Sequence, residues 1–265
     1  MLGKLIRKLI RKLSGKLRKL IRKLISPPLS LLGFGLIRLR DEKTGSRDIS
    51  FLHIGKTGGT QVRHITNQLA DEGVRVIKQA HNVDISMIPH GSRYFFSIRN
   101  PASRFKSGFY SRKRMGLPKY RVEWNFHERM AFEEFPHAND LAESLFLEGE
   151  VGRRARAAIK SIQHTGKQQI DWFTSRAFLE LNPPITIIRQ EHFESDMQRF
   201  LRLVGIDQSI KNFITNDPVK AHRNSYDEVP DLSDLAMSNL ADWYIQDYCF
   251  YETCEFWLRK QGQID

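Results

Sequence analysis

The chain opens with a strict alternation of paired apolar and paired basic residues. Placed on a helix at about 100° per residue, Leu2, Leu5, Ile6, Leu9, Ile10, Leu13, Leu17, Leu20, Ile21, Leu24 and Ile25 fall on one side. The lysines and arginines between Lys4 and Lys23 fall on the other. Residues 3–14 (GKLIRKLIRKLS) nearly repeat in 15–26 (GKLRKLIRKLIS), and Pro27-Pro28 stops the helix. From residue 49 the pattern changes to short apolar runs at 49–54, 74–79, 93–98 and 185–189. Runs of that length suit strands buried in a parallel sheet. Helical spacing follows the first of them, with Val62, Ile65 and Leu69 along Gln61–Ala70. The prediction is an α/β fold: a central parallel sheet in three layers, with helices on both faces, preceded by an amphipathic N-terminal helix. The organisation expected is a tail over 1–26, a linker over 27–48 ending in the polar stretch 38–48, and one domain over 49–265.

Charge sharpens the division. The formal charge of +12 comes mostly from the tail, which holds ten of the 42 Lys and Arg and none of the 30 Asp and Glu. The rest of the chain is close to neutral, so the basic balance does not mark the folded body as a nucleic-acid binder. Ten charges exclude the tail as a bilayer span, and their even spread is unlike a secretory signal. It fits a helix lying on an anionic membrane surface; docking on the protein's own body or on a partner helix, and a nucleic-acid tail, are the alternatives. Cys249 and Cys254 stand five apart in a predicted helix, roughly 140° around its axis, and read as two packed thiols instead of a disulfide. No histidine pattern of the zinc kind is present, and no metal site is expected.

Ile49–Ile54 runs into Gly55-Lys56-Thr57-Gly58-Gly59-Thr60 and then into the helix. A strand, a glycine-rich turn and a helix start make an anion site, because free backbone N–H groups converge there and the helix dipole favours negative charge. Gly58 and Gly59 permit close approach, Thr57 and Thr60 offer hydroxyls, and Lys56 supplies a cation. Walker A places its glycines before the lysine; here the lysine comes first, which argues against that loop. The segment from His53 to Thr60 resembles the 5′-phosphosulfate loop of sulfotransferases that use 3′-phosphoadenylyl sulfate (PAPS), in the form found in the carbohydrate and heparan-sulfate type. In that family Pro commonly precedes the lysine, where this chain has Gly55, a change expected to make the loop more mobile. The resemblance implies a P-loop-like fold and PAPS as donor, with no metal.

A second strand-to-helix passage follows at Arg93–Ile98 and Arg99-Asn100-Pro101, continuing to Ser107. Arg99 stands at the C-terminal strand end, where nucleotides bind in open α/β sheets, and Pro101 suits a first helical turn. This segment resembles the family's 3′-phosphate motif, which implies that Arg99 and Ser107 hold that phosphate. Arg104 and Lys106 are read as solvent-facing or general electrostatic helpers. The resemblance extends to 185–204, to Leu235–Glu255 as a C-terminal helix, and to the basic turn at 220–224, where it implies a phosphate contact from Arg223 or Lys220.

In-line sulfuryl transfer needs positioned reactants, charge stabilisation at the leaving oxygen and removal of the acceptor proton. Lys56 is placed for the second task. His81, after the expected second strand, is the favoured base, with His53 and His64 next. The segment 111–130 interleaves Arg, Lys, Tyr, Trp and Phe, a composition suited to a glycan, to plain surface or core, or to single-stranded nucleic acid. Gln168, Gln169 and Trp172 are weaker candidates for lining the acceptor or adenine pocket. The expected acceptor is a glycan or glycolipid hydroxyl, and the expected location the cytoplasmic face of a bacterial membrane. An ATP-dependent phosphotransferase and a tethered, non-catalytic nucleotide-binding protein are the competing readings.

Overall fold

The computed structural model describes residues 48–89, 91–118, 121–174, 177–214 and 229–265. The amphipathic tail, the linker up to residue 47 and the basic turn with Lys220 and Arg223 lie outside the described residues. Strands β1 (Ile49–Leu52), β2 (Val76–Lys78), β3 (Tyr94–Ile98) and β4 (Ile187–Arg189) form one parallel sheet in the order β2-β1-β3-β4. Each lies inside its expected run but is shorter. The flanks still bond across the sheet without extending the ladders: Gln79 N–H donates to Phe51 O and Ile185 N–H to Tyr94 O.

The helices are α1 (Gly59–Gln68), α2 (Pro101–Lys113), α3 (Phe126–Glu134), α4 (Ala138–Glu143), α5 (Gly149–Ser161), α6 (Phe178–Leu181), α7 (Phe193–Leu203), α8 (Asp234–Trp243) and α9 (Ile245–Lys260). Strand residues alternate between two faces, as the pleat requires. Phe51, Phe95 and Ile188 pack with Val62, Ile65 and Leu69 of α1 and Met197, Phe200 and Leu201 of α7. Leu52, Phe96 and Ile187 pack on the opposite face with Phe173, Phe178 and, from α9, Phe250 and Trp257. Both faces are therefore buried, which is why the strands read as continuous apolar runs. A third core lies in a helical lobe, where Phe105, Phe109 and Tyr110 of α2 meet Phe132, Leu141, Ile159 and Leu240.

The expected single C-terminal helix is divided. Tyr244, at φ −103° and ψ 26°, separates α8 from α9. It is buried, and its hydroxyl donates to Thr165 O at 2.7 Å, a tertiary contact that the helical pattern does not encode. Cys249 and Cys254 on α9 are both free thiols. Among the described residues no helix is long and apolar enough to cross a membrane.

The topology places a crevice where it matters. From β1 the chain passes through α1 to β2 on one side, whereas β3 lies on the other side of β1. The turns leaving β1 and β3 are therefore neighbours at the sheet's C-terminal edge, the switch point at which open α/β sheets bind ligands.

The helical lobe is anchored by a buried ion pair. Arg112 meets Glu128 through two bonds of 2.7 Å, and Glu128 also accepts from the backbone of Asn125 and Gln163. Removing one partner of such a pair strands the other charge in the interior. Glu128→Ala is expected to lower unfolding stability by about 3–5 kcal/mol, read from urea denaturation; a loss below about 1 kcal/mol would show that the guanidinium finds water instead.

Candidate functional site

The two turns at the sheet edge begin their helices differently. Gly58 precedes α1 in the left-handed region at φ 82°, with no side-chain cap. The opening N–H groups through Thr60 lack intrahelical acceptors and remain available to an anion. At α2 Asn100 caps the helix by accepting from Ser103 N–H, and its own N–H donates to Glu191 at 2.9 Å. The first turn thus offers backbone donors, and the second can offer chiefly side chains.

The glycines of the first turn have packing reasons beyond access. A Cβ on Gly59 would stand 2.1 Å from Nε2 of His53, and one on Gly58 would stand 1.8 Å from Oε1 of Gln190. Gly55 is buried, and a Cβ there would lie 3.2 Å from Nδ1 of His164. Its carbonyl accepts from Nε of Arg104 at 2.9 Å. Gly55 is therefore braced by Arg104, with His164 packed against it. Thr57 also differs from expectation. Its buried hydroxyl donates to Ile54 O and bonds Ser97 Oγ at 2.7 Å, so its proton is spent inside the fold and only its backbone faces the task assigned to it. Thr60, the second residue of α1, is half-buried.

Lys56 adopts φ 68°, a left-handed conformation that a non-glycine residue reaches at about 1–3 kcal/mol. Burial, then the charges of Arg99, Arg114 and Arg104, push its pKa down to about 8. No carboxylate pairs with Lys56 among the described residues. The field of three arginines thus falls on Lys56, which favours an anionic ligand there. Among the described residues no group of three or more His, Cys, Asp and Glu is arranged to hold a metal ion.

Arg99 is fixed along its backbone and its side chain. Gln169 accepts from Arg99 N–H at 2.9 Å and donates to Arg99 O at 2.7 Å, extending β3 by a side-chain rung. Arg99 Nε donates to Ser103 Oγ at 2.8 Å. Arg99 and Ser107 line one open pocket of about 400 Å³, together with Asn100, Ser103, Lys106 and Asp231. The structure therefore brings together the two residues that the sequence pairs. It also corrects Arg104, which is 2 % exposed and serves as a strut: besides Gly55 O it donates to Lys167 O at 2.9 Å and lies 3.9 Å from Asp247. Lys106 lines the pocket instead of facing bulk solvent.

Three histidine rings meet beside the loop. His53 and His81 have centroids 3.9 Å apart, and His81 and His164 are 6.2 Å apart. Burial, reinforced by neighbouring positive charge, lowers His53 to about 2 and His164 to about 3, and it also lowers His81. His81 alone of the three is exposed. Lys167 lies over the buried Trp172 ring at 3.6 Å, and Trp172 donates to His81 O at 3.1 Å. Trp172 and Gln169 thus support the site through His81 O and the backbone of Arg99. In the 111–130 segment Trp124 packs on Phe132 and donates to Arg112 O, whereas Phe126 is 71 % exposed; the segment is part core, part surface.

Several contributors escaped sequence reasoning. Arg114 carried a signal, since it lies in the basic segment 111–130, but nothing local aims it at Lys56. His164, Gln190 and Glu191 come from distant segments, and no spacing announces them; Gln169 was a candidate for pocket lining, but its clamp on Arg99 was not foreseen. No family model matches the chain, and no curated protein matches it.

The sign of the Lys56 shift gives a stability prediction. Its folded pKa is below the unfolded one, so between about 8 and 10.5 the unfolded state binds more protons. The destabilisation from burying this charge is complete below about 8 and fades as pH rises toward 10.5. Lys56→Met is expected to melt at least about 2 °C above wild type at pH 7, with the gap closing by pH 10.5. A gap independent of pH would show that the ammonium is not desolvated.

Proposed function

We propose that the protein is a PAPS-dependent sulfotransferase with a P-loop-like three-layer fold, acting on a hydroxyl of a glycan or glycolipid. One observation carries the reading: two anion-seeking centres of different chemistry lie side by side at the switch point. The first is the β1–α1 turn with its open N–H groups and Lys56; the second is the pocket with Arg99 and Ser107. A nucleotide with phosphate groups at both 5′ and 3′ positions is the ligand that uses both. An arginine ends β3 where a magnesium-dependent phosphotransferase would need a carboxylate, which disfavours that alternative.

PAPS supplies a sulfuryl group on a phosphate leaving group. In this reading the N–H groups of 57–60 hold the 5′-phosphate, and Arg99 and Ser107 hold the 3′-phosphate by charge-assisted contacts. Lys56, protonated at neutral pH with its pKa about 8, meets the charge that grows on the leaving oxygen. His81 is neutral at pH 7 and exposed, and it takes the acceptor proton. His53 and His164 are held too far below neutrality to compete. Arg223 adds a phosphate contact, from outside the described residues.

Titration of PAP, the desulfated product, against ATP tests this. Wild type is expected to bind PAP tightly and ATP weakly, and Arg99→Ala to weaken PAP about 10–100-fold. Lys56→Ala is expected to depress turnover far more than PAP binding. ATP binding that needs magnesium and ignores the 3′-phosphate would replace the proposal with phosphoryl transfer.

The tail completes the proposal by holding the enzyme on the cytoplasmic face of a bacterial membrane, near lipid-linked acceptors. The full chain is expected to bind anionic vesicles and be released as salt rises, whereas neutral vesicles leave it free. Equal binding to both kinds would remove the electrostatic anchor.

A further inference from the structure

The pocket beside Arg99 contains a carboxylate. Asp231 is fully exposed, yet its Oδ1 accepts from Nζ of Lys106 at 2.7 Å. Lys106 is the more enclosed partner, with its side chain 17 % exposed. Ser103, Lys106 and Ser107 are spaced i, i+3 and i+4 along α2, so they share one face of that helix. Arg99 reaches the same face through its bond to Ser103. One wall of the pocket therefore carries a guanidinium, an ammonium and a hydroxyl, and Asp231 stands among them as a side chain that an arriving anion must meet.

We propose that Lys106 is a further ligand for the anionic group bound between Arg99 and Ser107, and that Asp231 holds its ammonium until that group arrives. The inference rests on the reading of this pocket as the 3′-phosphate site. A phosphate near pH 7 carries more charge than a carboxylate and offers three acceptor oxygens, so it outcompetes Asp231 for the same ammonium. Asp231 is at the surface and can turn into water when displaced. An exposed ion pair is a weak competitor, reducing affinity by no more than about fivefold. The pairing keeps a mostly enclosed lysine neutralised in the empty pocket and gives it up when ligand binds.

Calorimetric titration of PAP and of 5′-AMP, which lacks the 3′-phosphate, tests the assignment on the full chain. Lys106→Ala is expected to weaken PAP about tenfold or more while changing 5′-AMP less than twofold. Lys106→Arg restores PAP binding to within about threefold, because it keeps the charge at the same depth. Asp231→Asn strengthens PAP binding about two- to fivefold. A Lys106→Ala change under twofold for PAP, an equal loss for both nucleotides, or weaker PAP binding by Asp231→Asn overturns the assignment alone. A wild type that does not distinguish PAP from 5′-AMP overturns the pocket reading itself, and the role of Lys106 falls with it.

Discussion

Arg104 belongs to α2, but its guanidinium ends among three other segments. It holds the carbonyl of Gly55 in the β1–α1 turn and the carbonyl of Lys167, and it approaches Asp247 on α9. Asp247 in turn accepts from the backbone N–H groups of Gln169 and Ile170, and Gln169 clamps Arg99 at the end of β3. A chain of hydrogen bonds, closed by the ion contact between Arg104 and Asp247, thus runs from one anion-seeking turn to the other. Because these groups are buried, their bonds have little water to compete with them. The relative placement of Lys56 and Arg99 depends on that network more than on either local motif.

The same network explains the electrostatics. Arg104 is partly balanced by Asp247, but among the described residues no acid pairs with Lys56, and it adds its charge to a field set by Arg99 and Arg114. The fold tolerates this excess charge together with the left-handed backbone at Lys56. In the proposed function both features are put to use by the phosphate held at the turn. Strain held by rigid surroundings is the form that preorganisation takes: the donors are aimed before the ligand arrives. The histidines respond to the same field, since nearby cations and burial hold all three neutral.

Much of the sheet was legible because a buried parallel strand has a one-dimensional signature. The four apolar runs are strands, and Val62, Ile65 and Leu69 do face the sheet. The turn motifs were legible for a related reason: Gly58, Lys56, Arg99 and Ser107 are each close in sequence to the strand end that positions them. The inward turn of the Thr57 hydroxyl and the Arg104 guanidinium was not legible, because the direction of a side chain at a turn is set by what packs around it. Thr57 is drawn inward by Ser97, forty residues away in the chain, and Arg104 by Lys167.

By itself the sequence determined which segments bury themselves in a sheet, where the chain turns at its edge, and which cations and hydroxyls are available there. Those follow from periodicity and from residues within one turn of each other, where local sterics and capping decide. Only the tertiary structure decided the strand order that makes the β1 and β3 turns neighbours. It also decided the break at Tyr244, the gathering of His53, His81 and His164, and the aiming of Arg99 by Gln169 and Ser103. Apart from the Ser103 bond, four residues from Arg99, these join segments far apart in the chain that only the packing of the core brings together, and where the groups are buried and polar each must find a partner there.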